Sequence, residues 1–90
     1  MKNKEEKKTK NIEVELLNIE KDVVKYTDVI FIKIKSKKYN LIIMRDYLPI
    51  IGEIEGKIEI GTDKGEIKLE NVRGYFMHKH NKFNLFYSIS

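Results

Sequence analysis

Three segments of this chain, Ile12-Glu13-Val14-Glu15-Leu16, Lys57-Ile58-Glu59-Ile60 and Glu66-Ile67-Lys68-Leu69-Glu70, alternate apolar and charged residues at strict period two. In an extended chain successive side chains point to opposite faces, so every apolar residue gains a dry side and every charge keeps its water. A helix of 3.6 residues per turn would scatter both kinds around its circumference and bury lysines and glutamates with the isoleucines. The alternation therefore demands strands.

The remaining segments read the same way. Val23-Val24-Lys25-Tyr26 is a short run, after which Ile30, Ile32 and Ile34 share one face while Phe31, Lys33 and Lys35 share the other. Residues 39–44 are more continuously apolar, the pattern of a strand covered on both faces. Pro49, the only proline, cannot donate to a ladder and marks an edge or an entry between strands. Ser36-Lys37-Lys38, Glu55-Gly56, Thr62-Asp63-Lys64-Gly65 and His80-Asn81-Lys82 read as turns, and residues 83–89 close the chain as an aromatic-rich strand. Turn signals at this spacing, with isoleucine, valine and tyrosine prominent between them, predict an all-β fold. The expected architecture is a two-sheet antiparallel β-sandwich of eight to nine short strands. Ile30, Ile32, Ile34, Ile58, Ile60, Ile67 and Leu69 would fill the space between the sheets.

Ninety residues make one domain, assigned to residues 12–90. The formal charge of +4 is misleading as a single number, because the first ten residues hold five lysines against two glutamates. The rest is nearly neutral, with 13 basic and 12 acidic side chains. Residues 1–11 are thus expected to be a disordered basic tail outside the fold. The absence of cysteine removes disulfides and thiolate metal sites. No apolar run approaches the roughly 18–20 residues of a membrane-spanning helix, so membrane contact is expected to be indirect.

Catalytic patterns are missing from the sequence. Gly52 to Gly56 lacks the lysine and helix of a phosphate loop, and Ser88 and Ser90 have no adjacent base. His78 and His80 fall on one face of a strand at this spacing, but two ligands are too few for a usual zinc site, and a polar strand end is the plainer reading. No enzymatic activity, cofactor or metal is expected. One binding function has some support: Lys33, Lys35, Lys37 and Lys38, with Phe31 and Tyr39, could form a cationic groove with stacking platforms for single-stranded nucleic acid in a small β-barrel. A dedicated binder would show a clearer basic stripe, since acidic residues interleave these lysines.

A larger pattern spans residues 12–87. A first strand like Val14-Glu15-Leu16-Leu17 is followed by a strand like Val29-Ile30-Phe31-Ile32, then a hairpin, then Asp46-Tyr47-Leu48-Pro49-Ile50-Ile51, and finally Gly74-Tyr75-Phe76-Met77. This order resembles the amino-terminal β-sandwich domain of the epsilon subunit of rotary F-type ATP synthases. There the proline segment reads Gly-His-Ala-Pro and the later one Gly-Gly-Phe-Leu. The resemblance implies a non-catalytic rotor subunit at the foot of the central stalk, coupling ion translocation to ATP synthesis or hydrolysis. Its partners would be the gamma subunit and the membrane c-ring, with no nucleic acid and no self-association. It would lie peripherally at the cytoplasmic face of the membrane.

The family's ring-facing hairpin falls on Lys35, Ser36, Lys37, Lys38, Tyr39 and Asn40. Acidic residues and glycine are usual there, whereas this chain carries three lysines, which fits the resemblance only if the ring loop opposite is more acidic or the pairing differs. The surface toward gamma would comprise Asp46, Tyr47 and Leu48, with Arg73 and Tyr75. Typical family members continue into two helices that restrain hydrolysis. Ending at Ser90, this chain is expected to couple without that restraint if Ser90 is its natural end.

Overall fold

The computed structural model describes residues 11–20 and 23–90. The tail assigned to residues 1–11 lies outside them except for Asn11. Six strands make up the fold: β1 (Ile12–Asn18), β2 (Val23–Ser36), β3 (Asn40–Met44), β4 (Ile50–Thr62), β5 (Gly65–Lys79) and β6 (Lys82–Ile89). No helix occurs among the described residues. The all-β expectation holds, but the strands are fewer and longer than eight or nine.

The two-sheet sandwich is also replaced. The strands follow one hydrogen-bonded order, β1-β6-β5-β4-β2-β3, and β1 pairs with β2 as well. That last pairing joins the ends, so β1, β6, β5, β4 and β2 close into a five-stranded barrel. Closure rests on β1, which runs antiparallel to the first half of β2 and parallel to β6, from Glu13 opposite Lys82 to Asn18 opposite Tyr87. β2 is long enough to pair with β1 early and with β3 late, from Phe31 opposite Met44 to Lys35 opposite Asn40. β3 thus hangs on the barrel as a short flap beyond β1. Closing a sheet on itself satisfies edges that an open sheet would leave bare.

The core is made by the inward half of each alternation: Ile12, Val14 and Leu16 on β1, Ile54, Ile58 and Ile60 on β4, Phe76 on β5, and Phe83 and Leu85 on β6, all essentially without solvent exposure. Two slips in period decide which residues join them. On β2, Val29 pairs with Thr62 but Phe31 with Gly61, so Ile30 is a bulged extra residue. The bulge turns Val29 inward along with Ile32 and Ile34, and leaves Ile30 43% exposed rather than in the core. On β5, Leu69 pairs with Ile58 and Val72 with Gly56, with Asn71 in the left-handed region at φ 59°. Ile67 and Leu69 pack against the core from one side of that bulge, and Val72, Phe76 and His78 enter it from the other.

Three further readings change. Glu55-Gly56 is not a turn but part of β4, which runs unbroken through it. β3 is covered on one face only: Ile43 is buried while Ile42 and Met44 are about half exposed. His78 is not a polar strand end but a fully buried side chain, whereas His80 occupies a two-residue hairpin turn with Asn81, both at positive φ (53° and 59°). The two histidines therefore share no face. The turns at 63–64 and 80–81 and the entry at Pro49 fall as read, the first held by Lys64 N–H donating to Thr62 Oγ1 at 3.1 Å.

Candidate functional site: two loops and an apolar barrel face

The hairpin between β2 and β3, where the lysine-rich set lies, is clamped to the barrel wall. Its own turn is closed by Ser36 N–H donating to the Tyr39 carbonyl at 2.9 Å. Lys37 N–H then donates to the Glu55 carbonyl at 3.1 Å, and Glu55 N–H donates to Ser36 Oγ at 3.0 Å. The Tyr39 hydroxyl donates to the Glu53 carbonyl. Burial, followed by the nearby Glu53 charge, raises the pKa of that phenol. Such bonds require β4 to pass very close, and Gly56 permits it. A Cβ there would sit 2.1 Å from the Lys35 carbonyl oxygen.

Glu55 is the electrostatic centre of this region. Its Oε2 lies 3.2 Å from both Lys37 Nζ and Arg73 Nη2. Hydrogen bonds from Lys37 and then Arg73, with their charges, hold its carboxyl below the usual carboxylate range. Lys35 Nζ approaches Glu59 at 3.8 Å, and Lys33 Nζ stands 5.4 Å over the Phe31 ring. Lys38 is exposed with no ion pair among the described residues, and Asn40 is exposed at the start of β3. The cationic set of Lys33, Lys35, Lys37 and Lys38 is thus interleaved with acidic partners rather than gathered in a basic stripe. Most of its lysines are engaged, Tyr39 is tied to Glu53, and the Phe31 ring covers Gly61, where a Cβ would meet it at 2.1 Å.

The second loop, residues 45–49, folds toward the β5–β6 hairpin. Asp46 N–H donates to Asn81 Oδ1 at 2.6 Å, and Asn81 Nδ2 donates back to Asp46 Oδ1 at 3.2 Å. Tyr47 packs against the core, its ring edge-on to His78 at 6.4 Å between centroids. Leu48 projects outward, 77% exposed. Asp46, Tyr47 and Leu48 line a shallow concavity with Pro49, His80 and Asn81.

Arg73 and Tyr75 do not join that concavity. They lie on the outer face of β5, in a different and more apolar groove shared with Leu17, Ile19, Gly74 and Phe86. The register explains the grouping: Tyr75 pairs with Phe86, and Phe86 pairs with Leu17, so three strands contribute neighbouring side chains to one row. The row two residues along adds Met77 opposite Ile51. Ile19, Ile51, Tyr75, Phe86 and Met77 are 76, 73, 61, 51 and 44% exposed. Gly74 lets the strands approach closely, since a Cβ there would come 2.0 Å from the Phe86 carbonyl oxygen. These side chains give the barrel an exposed apolar face, the kind of surface that often serves in binding.

Sequence reasoning picked Tyr75 and Arg73 from this face but missed Leu17, Ile19, Ile51, Met77 and Phe86. A signal for them was present. Gly74-Tyr75-Phe76-Met77 and Leu85-Phe86-Tyr87 carry apolar or aromatic residues on both faces, unlike the alternating strands. With Phe76 and Leu85 filling the inside, Tyr75, Met77 and Phe86 must form a second apolar surface outside. No group of three or more histidine, aspartate and glutamate side chains is arranged to hold a metal among the described residues.

No protein-family model matches the sequence, and neither does any curated protein. Solved structures do match in fold. One is a chain from the cryo-electron microscopy structure of the central stalk and c-ring of the Tetrahymena thermophila mitochondrial ATP synthase, with a TM-score of 0.68 and 17% sequence identity. The match covers 90% of this chain and 66% of that one. This barrel is thus a fold also found in an ATP synthase rotor assembly.

Proposed function

We propose that this chain is an epsilon-type, non-catalytic subunit of a rotary ATP synthase central stalk, joining a gamma-type subunit to the c-ring. The observation that carries the proposal is the shared fold with a central stalk and c-ring chain at a TM-score of 0.68. The succession of Pro49, Gly74 and Phe76 in the sequence supports it independently, as does a broad apolar face of the kind a permanent partner covers.

In this reading the gamma-type subunit covers the face of Leu17, Ile19, Tyr75 and Phe86, with Arg73 at its border, and the separate Asp46-Tyr47-Leu48 segment offers it a second contact. Aromatic and arginine side chains suit such a contact because they combine area with directional bonding. The hairpin from Lys35 to Asn40 meets the polar loops of the ring. Lys38 brings its charge toward acidic groups there, while Ser36, Lys37 and Tyr39 hold the hairpin to β4. A contact that transmits torque needs such stiffness, and main-chain bonds to Glu55 supply more of it than the exposed ion pairs. The subunit would lie peripherally at the cytoplasmic face, touching the membrane only through the ring.

The test is isolation of the affinity-tagged chain from detergent-solubilised membranes of its own source. The proposal expects a gamma-type subunit and c-ring to be recovered in fixed stoichiometry. Recovery of the intact synthase without this chain, or of this chain with an unrelated assembly, would refute it.

A further inference from the structure

Among the described residues His78 is the single buried polar side chain, with no measurable exposure and both ring nitrogens lacking a hydrogen-bond partner. Every other buried side chain of the core is apolar. On the barrel wall His78 stands between Ile50 of β4 and Phe83 of β6, its strand partners. Its ring is 6.3 Å from that of Phe83, and Tyr47 of the 45–49 loop closes over it edge-on. Ionisable neighbours are few. The loop brings the Tyr47 phenol, Arg45 and Asp46, the last two ion-paired at 3.6 Å and Asp46 also bound to Asn81; β4 and β6 bring none at the paired positions; and Lys79, His80 and Lys82 lie exposed around the adjoining hairpin. No carboxylate forms an ion pair with His78.

We propose that His78 is an acid-operated latch, which while neutral seats the 45–49 segment against the barrel and on protonation releases it. In the closed state an imidazolium would have neither water nor an anion, so burial depresses its pKa. Lifting the segment lets water in, and the ring then takes a proton from solvent near the ordinary value of about 6.5. Opening therefore binds a proton. The closed form is fully favoured above that value and loses ground as pH falls below it, up to about tenfold in the open-to-closed ratio per pH unit, until the depressed closed-state value is reached. The inference rests on the barrel and its buried ring, independently of the rotor reading.

Native-state hydrogen exchange on the full chain tests it. Protection of the Asp46 and Tyr47 amides, corrected for intrinsic exchange, should fall by about 15-fold between pH 6.5 and 5. His78→Leu should abolish that dependence, and His80→Asn should retain it. Flat protection in the natural chain, or an unchanged pH dependence in His78→Leu, overturns the latch. Should the leucine variant fail to fold, the imidazole titration of the natural chain decides. A ring protonating near 6.5 while both amides stay protected overturns it, and protonation in step with their release supports it.

Discussion

Phe86→Thr separates binding from folding. About half of the Phe86 ring faces outward on the barrel, at 51% exposure, and threonine keeps the strand propensity of the position. A phenylalanine side chain offers roughly 150–250 Å² in all, so the outward half leaves about 100 Å² for a partner to cover. At about 25 cal/mol per Å² that is near 2.5 kcal/mol of association free energy, or about 70-fold in Kd. The covered part lies among its outer-face neighbours Leu17 and Tyr75, and the core of Phe76, Phe83 and Leu85 stays in place on substitution. Stability should drop by about 1 kcal/mol. The assay pairs calorimetric titration against a purified gamma-type subunit with urea unfolding of the free chain. A Kd unchanged within twofold would refute the assignment of this face. So would a stability loss large enough by itself to account for the lost binding.

Gly56→Ala would set a methyl group 2.1 Å from the Lys35 carbonyl, a backbone atom that cannot step aside cheaply. Urea unfolding should show a loss of roughly 3 kcal/mol, with the Lys37 amide losing exchange protection first. Glu55 should titrate below ordinary glutamates, so the contribution of its bonds to Lys37 and Arg73 is present above the ordinary carboxylate value and lost as pH falls through the lowered one. Carbon-detected NMR of the Glu55 carboxyl checks this, and Lys37→Met together with Arg73→Met should return it toward the usual range.

The pattern of strands was legible because the order of residues writes period two into several segments and β-formers and turn residues mark the rest. Pairing was not. Closure by β1 depends on contacts between residues some seventy positions apart, such as Glu13 with Lys82, and no local signal encodes them. The slips at Ile30 and Asn71 were equally hidden, since a bulge changes which face a residue takes without changing which residues are present. Gly56 was misread because glycine serves tight turns and close backbone approach alike, and only the neighbouring strand tells them apart. On the candidate site, the residues before Pro49 and around Gly74 were proposed from the resemblance. The outward set of Leu17, Ile19, Ile51, Met77 and Phe86 needed the register to become one surface. His78 looked polar in sequence and proved to be the least solvated kind of group, because the bulge at Asn71 set the phase that points it inward.

Site-specific photo-crosslinking in intact membranes, with the reactive group placed in turn at Phe86 and at Lys38, tests the rotor assignment most directly. The account predicts adducts to a gamma-type stalk subunit from position 86 and to c-ring subunits from position 38. Adducts from both positions to one protein outside the synthase, or none to either rotor component, would contradict it.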